Sequence, residues 1–239
     1  MQIDTYETIA IVVLLVLSIS VHEWAHAAAT TFLGDSTAKD RGRLTLNPTS
    51  HADPVWTLLI PFLGLQFGGF FVAAGKPVPY NPGQWNHRLW GRRLQRKWGE
   101  FLVALAGPAS NLAQALIGAL ILAALIAWGG LESGDISRGL RGLDTANPAV
   151  AAVWGLERFI FINALLAVFN LMPIAPLDGE KVVAPFLPAA WANRLAHLGP
   201  WGFLILLLIV IRLPWVINTP IRWLHHLCMQ LALTPLSTL

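Results

Sequence analysis

Three ionisable side chains sit together inside the first long apolar stretch of this chain. His22, Glu23 and His26 form the pattern H-E-x-x-H, and residues 8–21 and 27–33 on either side contain no other ionisable residue. A helix over residues 8–33 would be about 39 Å long, which is enough to cross a hydrocarbon core of roughly 30 Å. Gly34 is placed to end it. Ionisable groups inside a bilayer are costly, so their presence here requires a reason.

The spacing of the two histidines gives that reason. Residues four apart lie on the same face of a helix, one turn from each other, so His22 and His26 can bind one Zn²⁺. Glu23 is then placed to act as a base on a water bound to the metal. The same pattern occurs by chance in soluble proteins, and it is the apolar context that favours a metal site. The pattern predicts a zinc hydrolase whose active site lies within the membrane.

The composition indicates an integral membrane protein. Hydrophobic residues make up 55% of the 239 residues and charged residues 12%, whereas soluble chains average about 25% charged residues. The net charge of +3 comes from basic residues in loops beside apolar segments, as the positive-inside rule predicts. We therefore expect the lipid bilayer as a partner and no nucleic acid. Cys228, the single cysteine, excludes an intrachain disulfide and is predicted to pack as a small apolar residue.

The remaining apolar stretches predict an all-α polytopic membrane protein, a single domain over residues 1–239 with about four to six membrane helices. Residues 101–128 and 150–171 are long enough to span. Residues 198–211 and the tail to Leu233 supply one or two further apolar elements.

The uncharged segment 54–75 is not predicted to form a regular membrane-spanning helix. Pro61 and several glycines interrupt it, and both residue types weaken helices. We predict a short re-entrant β-hairpin or loop around residues 67–80. Re-entry keeps both flanking basic loops on the cytoplasmic side, whereas a full crossing would place one of them outside. On this topology the active site lies nearer the cytoplasmic side.

Two histidines leave a zinc site incomplete, because catalytic sites usually have three protein ligands. Asp178 is the candidate third ligand. Pro173 and Pro176 break the helix before it, and Gly179 permits a close turn after it. An aspartate that caps a helix after a span would give the same local pattern, so the residues by themselves leave both interpretations open. His51 and Asp53, two residues apart in a loop, are predicted to fix that loop and not to bind metal.

Several motifs taken in order resemble one family. They are H-E-W-A-H at 22–26, A-G-P-A-S-N at 106–111 and N-L-M-P-I-A-P-L-D-G at 170–179. Together they resemble the site-2 protease family of intramembrane zinc metalloproteases. The stretches G-R-L-T-L-N-P-T-S-H-A-D-P at 42–54 and G-K-P-V-P-Y-N-P at 75–82 are similar to its compact bacterial and archaeal branch, which has no PDZ or CBS domain. The resemblance covers roughly residues 10–185.

The resemblance implies a set of roles. One zinc ion would be bound by His22, His26 and Asp178, with Glu23 as the catalytic base. Asn111 would lie near the active site and position the substrate or stabilise the oxyanion; the alternative role for Asn111 is a hydrogen bond between helices. The chain departs from the usual family pattern at Ala175, Glu180 and Lys181, where small or apolar residues and a second glycine are more common.

The implied reaction is hydrolysis of peptide bonds within or near the membrane segment of a single-span membrane protein, in regulated intramembrane proteolysis, and the implied location is a prokaryotic cell membrane. A helical substrate must unwind locally, and an open strand edge within residues 67–80 offers backbone groups for pairing. Two other classes remain open. A catalytically inactive scaffold that binds membrane helices would not need Glu23, and a metal transporter would be expected to show two similar halves.

Overall fold

The computed structural model describes residues 5–66, 73–86, 88–89, 92–128, 130–142 and 146–237. Three of its helices are long and apolar enough to cross a membrane: α1 (Thr5–Phe32), α5 (Arg96–Ala127) and α7 (Pro148–Asn170). A fourth span is formed if the helices at Leu204–Arg212 and Pro214–Leu233, bent by 78° at their junction, are counted together. The predicted all-α polytopic architecture is therefore confirmed. The described residues support only the lower end of the expected four to six membrane helices.

The shorter elements connect these helices. They are the helices α2 (Thr37–Asp40), α3 (Pro48–His51), α4 (Ile60–Gln66), α6 (Ser133–Leu140), α8 (Asp178–Val183), α9 (Ala189–Ala196), α10 (Gly199–Arg212) and α11 (Pro214–Leu233), a π-helical segment Pro54–Leu59, the 3₁₀ turns Pro82–Gln84, Ala184–Phe186 and Thr234–Ser237, and the two-residue antiparallel strands β1 (Arg88–Leu89) and β2 (Arg92–Arg93). A β-structure of this size does not change the fold class.

The α5 helix lies at the centre of the fold and packs against α1, α7, α8 and α11. Its inward face carries small residues such as Ala115, Gly118 and Ala119, and both alanines are completely buried. Small residues let helix backbones approach closely in a bilayer, where apolar burial alone does not drive association. Cys228 on α11 is buried in the same hydrophobic cluster, which confirms the packing role predicted for it.

The first helix ends as predicted at Gly34, which has a φ of +106°. The amides of Gly34 and Asp35 donate to the carbonyls of Thr31 and Thr30 at 3.0 and 3.1 Å. These bonds satisfy carbonyls that the helix end would otherwise leave unpaired. The histidines at 22 and 26 consequently lie two to three turns before the end of α1.

The segment that follows α3 begins and ends at neighbouring positions in the structure. Residues Pro54–Gln66 form a single short apolar helix, at most about 20 Å long and too short to cross alone. Ala52 forms an antiparallel bridge with Gly75, and the Lys76 amide donates to the His51 carbonyl at 2.7 Å. The meeting of the two ends supports re-entry over crossing. Residues 67–72 of the predicted hairpin lie outside the described residues. Within residues 73–80, which the structure describes, Gly75 alone forms a bridge, and its partner is Ala52.

Candidate metal centre

Three side chains from two helices converge on one point. His22 and His26 lie one turn apart on α1, and Asp178 is the first residue of α8. The Nε2 atoms of His22 and His26 are 3.0 Å apart, and each is 3.2 Å from Asp178 Oδ2. Among the described residues they form the one group of three or more His, Cys, Asp or Glu side chains able to bind a metal ion. The structure thus brings the three predicted ligands together, although Asp178 lies more than 150 residues after the two histidines in sequence.

The second nitrogen of each imidazole is held by a protein acceptor. His26 Nδ1 donates to the backbone carbonyl of Val103 at 2.6 Å, and His22 Nδ1 donates to Asn111 Oδ1 at 2.6 Å. Because each Nδ1 donates to an oxygen, Nε2 is the ring nitrogen that is left to bind a metal ion. Partners of this kind fix both the tautomer and the orientation of metal-binding histidines.

The orientation of the Asn111 side chain, which accepts from His22, is fixed by hydrogen bonds between buried amides. Asn163 Nδ2 donates to the Phe159 backbone carbonyl at 2.9 Å and to Ser18 Oγ at 3.0 Å. A backbone carbonyl can only accept, so the Asn163 amide has one possible orientation, with its Oδ1 toward Asn111. Asn111 Nδ2 therefore donates to Asn163 Oδ1 at 2.9 Å, and its own Oδ1 must face His22. The tautomer of His22 thus follows from a carbonyl on α7.

This arrangement fits a metal cation. The two Nε2 atoms and the Asp178 carboxylate face one another at 3.0–3.2 Å, and a cation at their centre would offset the repulsion between their lone pairs. Ligand atoms on a tetrahedral zinc ion at bond lengths near 2.0–2.1 Å lie about 3.3 Å apart. The observed separations of 3.0–3.2 Å are close to that spacing. Nitrogen and carboxylate donors in a set of three are also the composition of catalytic zinc sites.

A glycine on α5 leaves room for the metal. A Cβ placed on Gly107 would lie 2.4 Å from His26 Nε2 and 2.6 Å from His22 Nε2. Any side chain at Gly107 would therefore enter the space between the ligand atoms. The sequence contains this glycine in A-G-P-A-S-N, but only the packing of α5 on α1 reveals why a side chain is excluded.

Asp178 is brought to the histidines by the chain between α7 and α8. That connection, residues 171–177, contains the two prolines that were predicted to break the helix. A Cβ on Gly179 would meet the carbonyl oxygens of Leu171 and Met172 at 2.3 Å. The glycine therefore allows α8 to start directly against the end of α7, with Asp178 aimed at α1. Glu180 and Lys181, although unusual at their positions, leave this geometry intact.

A cavity of about 290 Å³ opens beside the three ligands. Glu23 lines it together with the ligands, so the predicted base faces the same space. A Cβ on Gly75 would lie 2.8 Å from Glu23 Oε1, which shows that the returning chain after the re-entrant segment forms the opposite wall. The remaining wall residues are mostly apolar and include Ile19, Ala73, Val78, Ala104, Leu166, Phe169 and Leu177.

Among the residues that the structure describes, one lysine lines this cavity. Lys181 lies three residues after Asp178 on α8, and its Nζ donates to the Tyr80 hydroxyl at 3.0 Å. Burial lowers the pKa of the Lys181 ammonium, but the hydrogen bond to Tyr80 and the nearby carboxylates of Asp178 and Glu180 raise it by more, so that the group remains charged. Lys181 was noted in the sequence only as a departure from the usual family pattern.

Asn111 lies beside a metal ligand, but its side chain does not face the cavity. Its side chain is completely buried and is not among the residues that line the cavity. Its Oδ1 and one amide hydrogen are bonded to His22 and Asn163, so it orients a ligand and joins three helices by hydrogen bonds. The predicted interhelical hydrogen bond is therefore present, and no contact observed for Asn111 supports a direct role at the substrate.

His51 and Asp53 fix their loop, as predicted. His51 Nε2 donates to the Thr45 carbonyl at 2.7 Å, and burial lowers the pKa of its imidazole, which favours the neutral form. Asp53 Oδ1 accepts from the amides of Val55 and Trp56 at 2.9 and 3.0 Å. Neither residue belongs to the metal-binding group.

Sequence reasoning missed Asn163 and the pairing of Lys181 with Tyr80. The available signal for Asn163 was its position as an amide side chain within an apolar span, where polar groups face the bundle interior. The pairing of Lys181 with Tyr80 joins residues 101 positions apart and had no local signal.

Comparisons with known proteins agree with this geometry. The profile of peptidase family M50 matches residues 10–208. The protein named "Putative zinc metalloprotease YwhC" of Bacillus subtilis is 32% identical over 203 residues, which cover 84% of this chain and 80% of that protein. The proteins named "Putative zinc metalloprotease Rip2" of Mycolicibacterium smegmatis and Mycobacterium tuberculosis are 30% and 27% identical, over 82% and 81% of this chain. The chain spans 64% and 63% of the length of those two proteins. No solved structure matches the chain at a significant level.

The family match covers most of the chain and includes all three residues of the metal-binding group. This chain belongs to peptidase family M50, the site-2 proteases.

Proposed function

We propose that this protein is an intramembrane zinc metalloprotease that hydrolyses peptide bonds within or near the membrane segment of single-span membrane proteins. The observation that carries the proposal is the convergence of the His22, His26 and Asp178 acceptor atoms within 3.2 Å of one another. A second observation supports it, since Glu23 lines the cavity beside this group. The family match and the names of the relatives agree with zinc as the cofactor.

The residues divide the chemistry between them. His22, His26 and Asp178 would hold the zinc ion, and Asn111 and Val103 keep the two rings in the required orientation. When bound, zinc lowers the pKa of its water toward about 7 and polarises the scissile carbonyl. Glu23 takes a proton from the attacking water and donates it to the leaving amine. The apolar walls and neighbouring helices limit the access of bulk water to the site.

The substrate class follows from where the cavity lies. Its ligands come from the interior of α1, an apolar helix long enough to span the bilayer, so a peptide bond must reach membrane depth to be cut. Part of the cavity wall is formed by chain outside any helix, at Ala73, Ala74, Gly75, Pro77 and Val78. Backbone that is not part of a helix can pair with a locally unwound substrate. We include in the proposal that cleavage acts in regulated intramembrane proteolysis.

The location of the active site is also part of the proposal. The basic loops that follow α1 and residue 76 favour the cytoplasmic side by the positive-inside rule, and the meeting of Ala52 with Gly75 allows both to lie there. The bacterial relatives agree with a prokaryotic cell membrane.

The proposal is tested with purified protein and a model single-span substrate in proteoliposomes. We expect cleavage that stops with a zinc chelator, returns with added Zn²⁺ and is absent in Glu23→Gln. Zinc-independent cleavage, or a zinc-loaded wild-type protein that binds the substrate without cutting it, would overturn the proposal. The second result would favour a membrane-helix scaffold.

A further inference from the structure

The reaction proposed above places negative charge on the scissile carbonyl oxygen, and Asn111, the residue that the family resemblance implies could stabilise that charge, does not line the cavity. Asn111 is completely buried, and its amide is bonded to His22 and Asn163. Protein groups that stabilise an oxyanion must instead lie on the wall of the cavity with a free donor.

Lys181 meets this requirement. It is the one lysine or arginine among the described residues that line the cavity, and it shares that wall with Glu23 and Asp178. Residues three apart on a helix lie on the same face, about 5–6 Å apart at Cβ, so Lys181 and Asp178 project from α8 toward the same space. An ammonium group has three N–H donors, and the structure gives one of them to the Tyr80 hydroxyl.

The ammonium group is held in place by a series of contacts that reaches back to α1. Lys181 Nζ lies 3.0 Å from the Tyr80 hydroxyl and 5.2 Å from the centre of that ring. Tyr80 stacks on Trp85, with ring centres 5.8 Å apart and planes 9° from parallel. Trp85 is buried, and its Nε1 donates to Thr30 Oγ1 at 3.1 Å. The charge is therefore fixed before substrate arrives, which is the condition under which a charge stabilises a transition state effectively.

A structural role as an ion-pair partner does not account for Lys181. Within the described ranges its Nζ lies within 4.0 Å of no carboxylate oxygen. A charge on a mostly apolar wall is costly to keep. That cost is offset if the charge interacts with negative charge that appears only during the reaction.

We propose that Lys181, oriented by Tyr80, is a catalytic residue that donates a hydrogen bond to the oxyanion formed when water adds to the scissile carbonyl. In this step the carbonyl π electron pair moves to oxygen while Glu23 takes the proton from the attacking water. Lys181 keeps its own proton throughout. The assignment rests on the proposed peptidase function.

The test compares the kinetics of variants on the model single-span substrate in proteoliposomes. Lys181→Met should lower kcat by about 10²–10³-fold, the usual loss for one oxyanion donor, with little change in KM. Zinc content and thermal stability should stay at the wild-type level. Lys181→Arg keeps a charged donor and should recover part of kcat, and Tyr80→Phe should cause a smaller loss of kcat. Lys97→Met, which removes an exposed lysine outside the cavity, is the matched control and should leave kcat unchanged.

Three results would overturn the assignment while leaving the peptidase proposal in place. The first is a wild-type kcat in Lys181→Met. The second is loss of zinc from that variant, which would make Lys181 a support for the metal site. The third is a loss confined to KM and to substrates with an acidic residue near the cleavage site, which would make it a recognition group. If Lys181→Met does not fold, the pair Lys181→Arg and Tyr80→Phe decides, since the proposal requires a loss of kcat in Tyr80→Phe at unchanged zinc content. A wild-type enzyme that does not cleave at all would instead contradict the peptidase function itself.

Discussion

His22 Nδ1 lies 2.6 Å from Asn111 Oδ1, so a residue on α5 sets the orientation and tautomer of a metal ligand on α1. Asn111→Leu keeps the volume of the side chain but removes the acceptor. We expect zinc affinity to fall about 10–100-fold, the usual effect of losing a hydrogen-bond partner of a ligand. A competition titration with a zinc-binding dye measures this. Gln114→Leu removes another buried amide of the same helix that bonds to Ser18 and not to a ligand, and it should leave zinc affinity unchanged. Equal affinities in the two variants would contradict the orienting role.

The amide of Asn163 should act on the metal through Asn111. Asn163→Leu releases the constraint that directs the Asn111 oxygen toward His22, so zinc affinity should fall by less than in Asn111→Leu. The double variant should be no weaker than Asn111→Leu alone, because both changes remove the same interaction. The visible spectrum of the Co²⁺-substituted protein provides a second measurement of ligand geometry. Additive losses in zinc affinity would show that the two amides act separately.

Replacing the catalytic base should separate catalysis from metal binding. Glu23→Gln keeps the size of the side chain but cannot transfer the proton, so turnover should fall about 10²–10⁴-fold. Zinc content should remain at one ion per chain, as Glu23 is not part of the ligand group. Turnover and zinc content are measured on the same preparation. Turnover above about a tenth of wild type is incompatible with a base of this strength.

Removing the third ligand should remove the metal. Asp178→Ala leaves two ligands, and we expect both zinc content and cleavage to be lost, as in His22→Ala or His26→Ala. Asp53→Ala is the control. Asp53 caps the helical segment that starts at Pro54, so its loss should lower the free energy of unfolding while zinc content stays unchanged. Full zinc in Asp178→Ala, or loss of zinc in Asp53→Ala, would mean that the ligand set is wrong.

A single methyl group on α5 should prevent metal binding. Gly107→Ala places a Cβ within 2.6 Å of both ligand nitrogens, although alanine normally stabilises a helix by about 1 kcal/mol relative to glycine. We expect loss of zinc with the helical content retained. Gly155→Ala on α7 has open space for its Cβ and should bind zinc normally. The metal content and the circular dichroism spectrum are measured for both variants. A Gly107→Ala protein that still binds zinc would show that α5 lies further from α1 than the structure places it.

The local sequence determined the parts of the site that lie within one element. Three ionisable residues inside an apolar stretch are sufficient to place His22 and His26 on one helix face, because the helical repeat of 3.6 residues fixes that relation. The long uncharged stretches likewise predicted the bounds of the spanning helices to within a few residues. An isolated segment that crosses a bilayer must be helical, because its backbone groups have to bond to one another. The prolines before Asp178 predicted the end of the preceding helix. The residues alone could not show whether Asp178 binds the metal or caps a helix.

Only the tertiary structure decided which distant groups meet. The packing of α5 between α1 and α7 brings Asn111 to His22 and Asn163 to Asn111, and it thereby shows that Asn111 makes the hydrogen bond between helices that was one of its two expected roles. The same packing shows why residue 107 must lack a side chain, and the return of the chain at Gly75 brings Tyr80 to Lys181. These relations depend on how helices and extended chain approach one another in space, and no periodicity within a single segment encodes them.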